Sequence, residues 1–164
     1  MMKSFSEKII PSPYPGSSIV KDEWLDLNGH MNMAHYVSAF DDGSCPLFDY
    51  LGLGWDYTAE GEGSIFVGSS SIDYKNELFR GDPLRMETVL LDFDERRIHV
   101  FQKMYHAGKG YLAAEAEFLF LHVSLKTRNI TDIPLFSMSK LAEVRQAHEC
   151  VGIHKFVGRT IGLR

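Results

Sequence analysis

Asp26-Leu27-Asn28-Gly29-His30-Met31-Asn32 runs straight into Met33-Ala34-His35-Tyr36. Seven residues bring together a carboxylate, a glycine, a histidine and an amide, and an amphipathic run begins at once. Asn28-Gly29 is a turn signal. Asn32 is a good helix N-cap. Ala34, Val37 and Phe40 then share one helical face, with Asp41 and Asp42 on the other. Gly43 and Pro46 interrupt the pattern, and Ser44 can cap a restart that carries Leu47, Phe48, Tyr50 and Leu51. The expectation is a kinked or broken helix over about 33–52, ended by Gly52 and Gly54.

On the N-terminal side, residues 1–16 read as an arm, because Pro11, Pro13 and Pro15 can neither continue a helix nor donate regularly to a sheet. Residues 17–25 suit a short strand. On the C-terminal side, 55–62 reads as a connecting loop. The period then changes from helical to strand-like, with four extended runs at 64–76, 83–93, 97–107 and 111–125. In the third, Ile98, Val100, Gln102 and Met104 alternate with His99, Phe101, Lys103 and Tyr105. The short turns at 80–83, 94–96 and 107–110 argue for antiparallel neighbours, since parallel strands need crossovers of a dozen residues or more. Residues 126–136 read as a loop and 138–149 as an amphipathic helix. These readings give an α+β chain: one long antiparallel sheet whose apolar face is covered by the early helix. The sheet's other face also carries apolar positions, which suggests burial against another subunit.

The 164 residues suffice for one domain with a sizeable core, and neither an internal repeat nor a domain boundary is visible. A net charge of −5 argues against a nucleic-acid partner. No apolar run approaches membrane-spanning length, and MMKSFSEKII lacks the apolar core of a signal sequence. The expected setting is cytoplasmic, with Cys45 and Cys150 reduced.

Asp26 precedes a helix start, and Gly29 lets backbone approach closely. A carboxylate there can attack a thioester carbonyl or deprotonate the water that does. Unpaired amides around 30–34 can hold the developing oxyanion. His30 is either a structural histidine of the turn or a direct participant; Asn32 reads first as the cap. The Tyr36 hydroxyl, one turn on, can face the same site or simply pack. A Gly-x-Ser-x-Gly elbow, a His-Glu-x-x-His pair, a Gly-x-Gly-x-x-Gly turn and a Walker loop are all missing.

Asp26-x-x-Gly29-His30-x-Asn32-x-x-x-Tyr36, followed by a helix and long strands, resembles the hotdog-fold thioesterases of the 4-hydroxybenzoyl-CoA thioesterase type. The likeness covers roughly 17–136 and includes Tyr74-x-x-Glu77 with Gly81-Asp82, and Thr127-Arg128. The form Trp24-Leu-Asp26-Leu-Asn28-Gly29-His30-Met31-Asn32 is most similar to the betainyl-CoA thioesterases of carnitine breakdown. The resemblance implies a single hotdog domain over 1–164, with a sheet wrapped around a central helix and residues 137–164 forming a C-terminal helix and tail. It implies an acyl-CoA thioesterase with Asp26 as base or nucleophile, assisted by His30 and Asn32, and with Gly29, Met33 and Tyr36 against the substrate. Coenzyme A enters as part of that substrate, so no separate cofactor or metal is expected. Lys75, Arg80, Lys126 and Arg128 are candidates to hold its phosphates. The implied assembly is a homodimer with continuous sheet, often paired into a tetramer, and active sites between subunits. Several members carry Tyr or His at the position of Met33; this chain does not. Two rival readings remain: a thioesterase for acyl-carrier-protein substrates, and a non-catalytic acyl or CoA binding module.

Overall fold

The first long helix, α1 (Met33–Tyr50), runs unbroken for 18 residues in the computed structural model, with Pro46 inside it. The structure describes residues 9–152, 155–159 and 161; most of the N-terminal arm, residues 1–8, lies outside them. The buried stripe of α1 is Tyr36, Ala39, Phe40, Gly43, Ser44, Leu47 and Phe48, a regular three-to-four residue spacing. The expected break is therefore absent. The expected face is also shifted, because Ala34 and Val37 are exposed. Small residues account for both corrections: Gly43 and Ser44 belong to the buried stripe.

Gly43 and Gly16 are where helix and sheet come closest. A Cβ on Gly16 would fall 2.0 Å from the Gly43 carbonyl oxygen, and one on Gly43 would fall 2.7 Å from Met86 Cγ. The helix backbone thus lies directly on strand β1 (Tyr14–Ile19). That strand takes in residues 14–16, so the arm is shorter than its prolines suggested.

The sheet has the order β1-β3-β4-β5-β2, all neighbours antiparallel, with β2 (Gly63–Tyr74), β3 (Pro83–Phe93), β4 (Arg97–His106) and β5 (Leu112–Ser124). The alternation read from β4 and β5 holds: Ile98, Val100, Met104, Ala114, Ala116, Phe118 and Phe120 are buried. Phe40 and Phe48 of α1 meet Phe118 and Phe120 edge-on, at 5.8 and 5.0 Å between ring centroids.

The turn at 80–83 does not join neighbouring strands. β2 pairs with β5 at one edge of the sheet, while β3 lies next to β1 at the other. Residues 75–82 therefore cross one end of the sheet, held there by Lys75 N and Asn76 N donating to the Ala113 carbonyl and by Tyr111 Oη donating to the Glu77 carbonyl. This crossing carries them alongside the 26–32 stretch.

The expected loop 55–62 contains a single short helix, α2 (Trp55–Ala59). The last helix, α3 (Leu135–Ala147), starts three residues early and buries Leu141 and Val144. Where β3 runs on beyond the start of β1, His148 Nδ1 accepts the Leu90 amide at 2.9 Å. The sheet's outer face is partly covered by the chain's own C-terminal residues. Phe156 is buried against Phe101, the Gly158 amide donates to Glu117 at 2.9 Å, and Arg159 pairs with Asp73.

Candidate active site

The stretch that precedes α1 is a tight loop stitched to its surroundings by backbone bonds. Asp26 N donates to the His30 carbonyl and Gly29 N to the Asp26 carbonyl, both at 3.0 Å. Gly29 has φ +82°, a conformation that L side chains rarely adopt. Met31 N donates to Leu78 O at 2.7 Å and Asn32 N to Trp24 O at 2.9 Å, which ties the loop to the 75–82 crossing and to the preceding turn.

Asp26 Oδ1 accepts the Asn28 amide at 2.8 Å, which fixes the carboxylate within the loop. Its Oδ2 faces His30 Nδ1 at 3.9 Å, and His30 Nε2 lies 3.9 Å from Glu77 Oε1 on the crossing. His30 thus stands between two carboxylates that are distant in sequence. Asn32 is the cap: its Oδ1 accepts the Ala34 amide at 3.0 Å, and its carbonyl accepts the His35 amide. Among the described residues the Met33 amide has no acceptor, so it is the donor that the helix start offers outward.

His30, Met33 and Tyr36 line one cleft of about 240 Å³ together with Tyr74, Lys75 and Glu77. Asp26, Gly29 and Asn32 are not in its wall; Asp26 reaches it through His30. Tyr74 donates to the Met33 carbonyl at 3.3 Å, and its ring meets Tyr36 edge-on at 5.0 Å. Tyr36 donates to the Asn76 carbonyl at 3.2 Å. Burial, with Tyr111, Glu77 and Tyr74 nearby, pushes the Tyr36 phenol up to about 12, so it remains a proton donor at neutral pH. Glu77 and Tyr74 were visible in the sequence only as part of the resemblance, and their nearness to Asp26 depends on the crossing.

The basic candidates are mostly committed. Arg80 pairs with Asp22, Lys126 with Glu62, and Lys75 with both Asp73 and Glu115. Arg128 lies over the Phe66 ring, 5.5 Å from its centroid. Among the described residues no three His, Cys, Asp or Glu side chains converge as metal ligands. Cys45 and Cys150 are free thiols.

Residues 20–147 match the model of the thioesterase-like superfamily. The chain belongs to this family. A Pseudomonas aeruginosa betainyl-CoA thioesterase is 28% identical over 88% of this chain and 91% of its own length. A Rhizobium meliloti L-carnitine dehydrogenase/betainyl-CoA thioesterase is 32% identical over 87% of this chain, which spans only 29% of that relative's length. A Staphylococcus aureus protein solved in complex with CoA superposes with TM-score 0.83 at 22% identity, over 97% of this chain and all of its own. A Pseudomonas putida protein of the thioesterase-like type superposes with TM-score 0.77 at 28% identity, over 90% and 94%. The sheet wrapped on α1 is thus the hotdog fold of thioesterase structures.

Proposed function

We propose that this chain hydrolyses an acyl-CoA thioester to the free acid and CoA, with a small cationic acyl group, betainyl, as the leading substrate. The observation that carries the reading is the loop from Asp26 to Met33 in a member of this family. It holds a fixed carboxylate and an unspent helix-start amide on either side of His30, beside an open cleft.

In the mechanism, the thioester carbonyl oxygen accepts from Met33 N–H, whose position at the positive end of α1 favours the developing oxyanion. Asp26 takes a proton from a water that attacks the carbonyl carbon, or attacks it directly to give an anhydride that water then opens. In either route the C–S bond breaks and the CoA sulfur leaves as thiolate. The acid product takes one oxygen from water. His30, between Asp26 and Glu77, positions the base. The named betainyl-CoA thioesterase relatives support the acyl group.

The reading includes a dimer. Among the described residues β2 is an edge strand with its outer side unpaired and with Phe66, Val67 and Tyr74 exposed. A long edge of this kind is a template for pairing, and antiparallel pairing with a second copy gives one continuous sheet. No helix among the described residues is long and apolar enough to cross a membrane.

A screen of the full chain against short, aromatic, long-chain and betainyl CoA esters, read by thiol release, tests the function. Rapid release from a CoA ester is expected, with betainyl-CoA the best. No release from any ester removes the hydrolase assignment and leaves the binding-module reading.

A further inference from the structure

A second cleft, of about 150 Å³, opens further along the same α1–β2 groove. A cavity of this order takes a guest the size of benzene. Its walls are Phe48, Phe120 and the indole of Trp55, and its polar groups include the carboxylates of Asp41 and Asp49. No Lys, Arg or His lines it, and among the described residues neither carboxylate has a basic partner. Of the three hydroxyls present, Thr58 and Ser64 are bonded to each other at 3.1 Å, and Ser44 donates to the Asp41 carbonyl at 2.9 Å.

The cleft is a built one. Cys45 donates its thiol proton to the Asp41 carbonyl at 3.4 Å, and the Trp55 indole lies beside that sulfur on the cleft wall. A Cβ on Gly54 would fall 1.8 Å from Asp49 Oδ1, so only glycine there lets the Asp49 carboxylate lie against the start of α2. Partial desolvation in the cleft, with Asp42 adjacent, raises the Asp41 carboxyl above its ordinary value, although the residue keeps contact with solvent.

Aromatic walls, two acids and no free hydroxyl suit a guest that is positively charged yet has no N–H to donate. A quaternary ammonium meets that description, since its methyl groups pack on rings while its charge is drawn to the π faces and the carboxylates.

The spacing shows how such a guest meets the reacting carbonyl. Asp41 lies eight residues beyond Met33, about 12 Å along α1, whereas in a betainyl thioester one methylene separates carbonyl from nitrogen. A single copy cannot place both. Along β2, Tyr74 stands at the Met33 end and Ile65 and Val67 at the Asp41 cleft. Antiparallel self-pairing of that edge sets the Tyr74 end of one copy beside the Ile65–Val67 end of the other.

We propose that the Asp41–Asp49–Trp55 cleft is the subsite for a quaternary ammonium at the acyl end of the substrate, serving the helix-start site of the paired copy; this rests on the thioesterase reading above. Acyl selectivity then comes from one subunit and bond cleavage from the other.

The test uses betainyl-CoA and its uncharged isostere, 3,3-dimethylbutyryl-CoA, with the full chain. Wild type is expected to favour the cation in kcat/KM by at least about tenfold. Asp41→Asn and, independently, Trp55→Ala are expected to lower that preference by about tenfold; an unchanged preference in both overturns the subsite. Asp26→Asn co-expressed with Asp41→Asn should give mixed dimers whose one active site keeps the wild-type preference for the cation, whereas mixed dimers with the lowered preference of Asp41→Asn overturn the arrangement across copies. Calorimetric binding of a non-hydrolysable thioether analogue of betainyl-CoA separates the two readings. Weaker binding by Asp41→Asn supports the subsite even if no ester turns over, a result that would count against the hydrolase alone. Equal binding overturns the subsite whatever the turnover.

Discussion

His148 is one residue whose protonation the fold dictates. Its Nδ1 accepts the Leu90 amide, so the proton sits on Nε2, which donates to the Pro11 carbonyl at 3.0 Å. Burial holds its pKa below the usual 6.5, with Arg145 adding to the fall and the Pro11 bond opposing it. Below about 6.5 the unfolded chain binds the proton more readily than the folded one. The stabilisation is therefore complete above that value and is lost as pH falls through the folded pKa. His148→Ala strands the Leu90 amide and should cost about 2 kcal/mol near neutral pH. Thermal melting should show that deficit shrinking at about pH 5; a deficit independent of pH contradicts the assigned protonation. No sequence pattern marked His148, because its partners are 58 and 137 residues away. The loop from Asp26 to Asn32 was legible for the opposite reason: turn, cap and carboxylate are all local. The sequence yielded the cap role of Asn32 directly. It did not reveal that His30 stands between Asp26 and Glu77, since that depends on a crossing 45 residues downstream. Of the aromatics near the loop in sequence, Trp24 is buried and stacks on His35 at 5.8 Å, while Tyr57 bonds His122 at 2.8 Å. Only Trp55 faces the acidic cleft.

At the scale of elements, β4 and β5 were readable because strict alternation writes their buried face into the sequence. α1 departs from its expected face and break because its buried stripe includes Gly43 and Ser44, which no hydrophobicity count selects. Gly43 reads as a helix breaker in sequence, yet in the fold it is the point of closest approach between α1 and the sheet. Gly16 completes that contact from β1, where an added Cβ would meet backbone rather than a flexible side chain. Gly16→Ala should therefore destabilise the chain by about 2 kcal/mol, measured as a lower urea midpoint with unchanged m. A neutral or stabilising result would mean that α1 can move off β1 freely. The strand order was the other gap. Short turns identify antiparallel neighbours for β3, β4 and β5, but the partner of β2 is set by the whole sheet closing over α1. Eight residues between β2 and β3 leave room for a crossing as well as for a turn.

For the whole molecule, the placement of β2 at an edge has the larger consequence. It leaves one side of a long strand open next to both clefts, so a second copy paired there joins a helix start to an acidic, aromatic pocket. Family, fold and loop geometry fit the proposed thioester hydrolysis, with Asp26 as the carboxylate that performs it. Asp26→Asn keeps an acceptor for the Asn28 amide and so preserves the loop. The decisive measurement is kcat/KM of this variant on the best ester of the screen, with its melting temperature recorded alongside. A fall of at least about 100-fold with melting unchanged is expected. Hydrolysis within about twofold of wild type would contradict it.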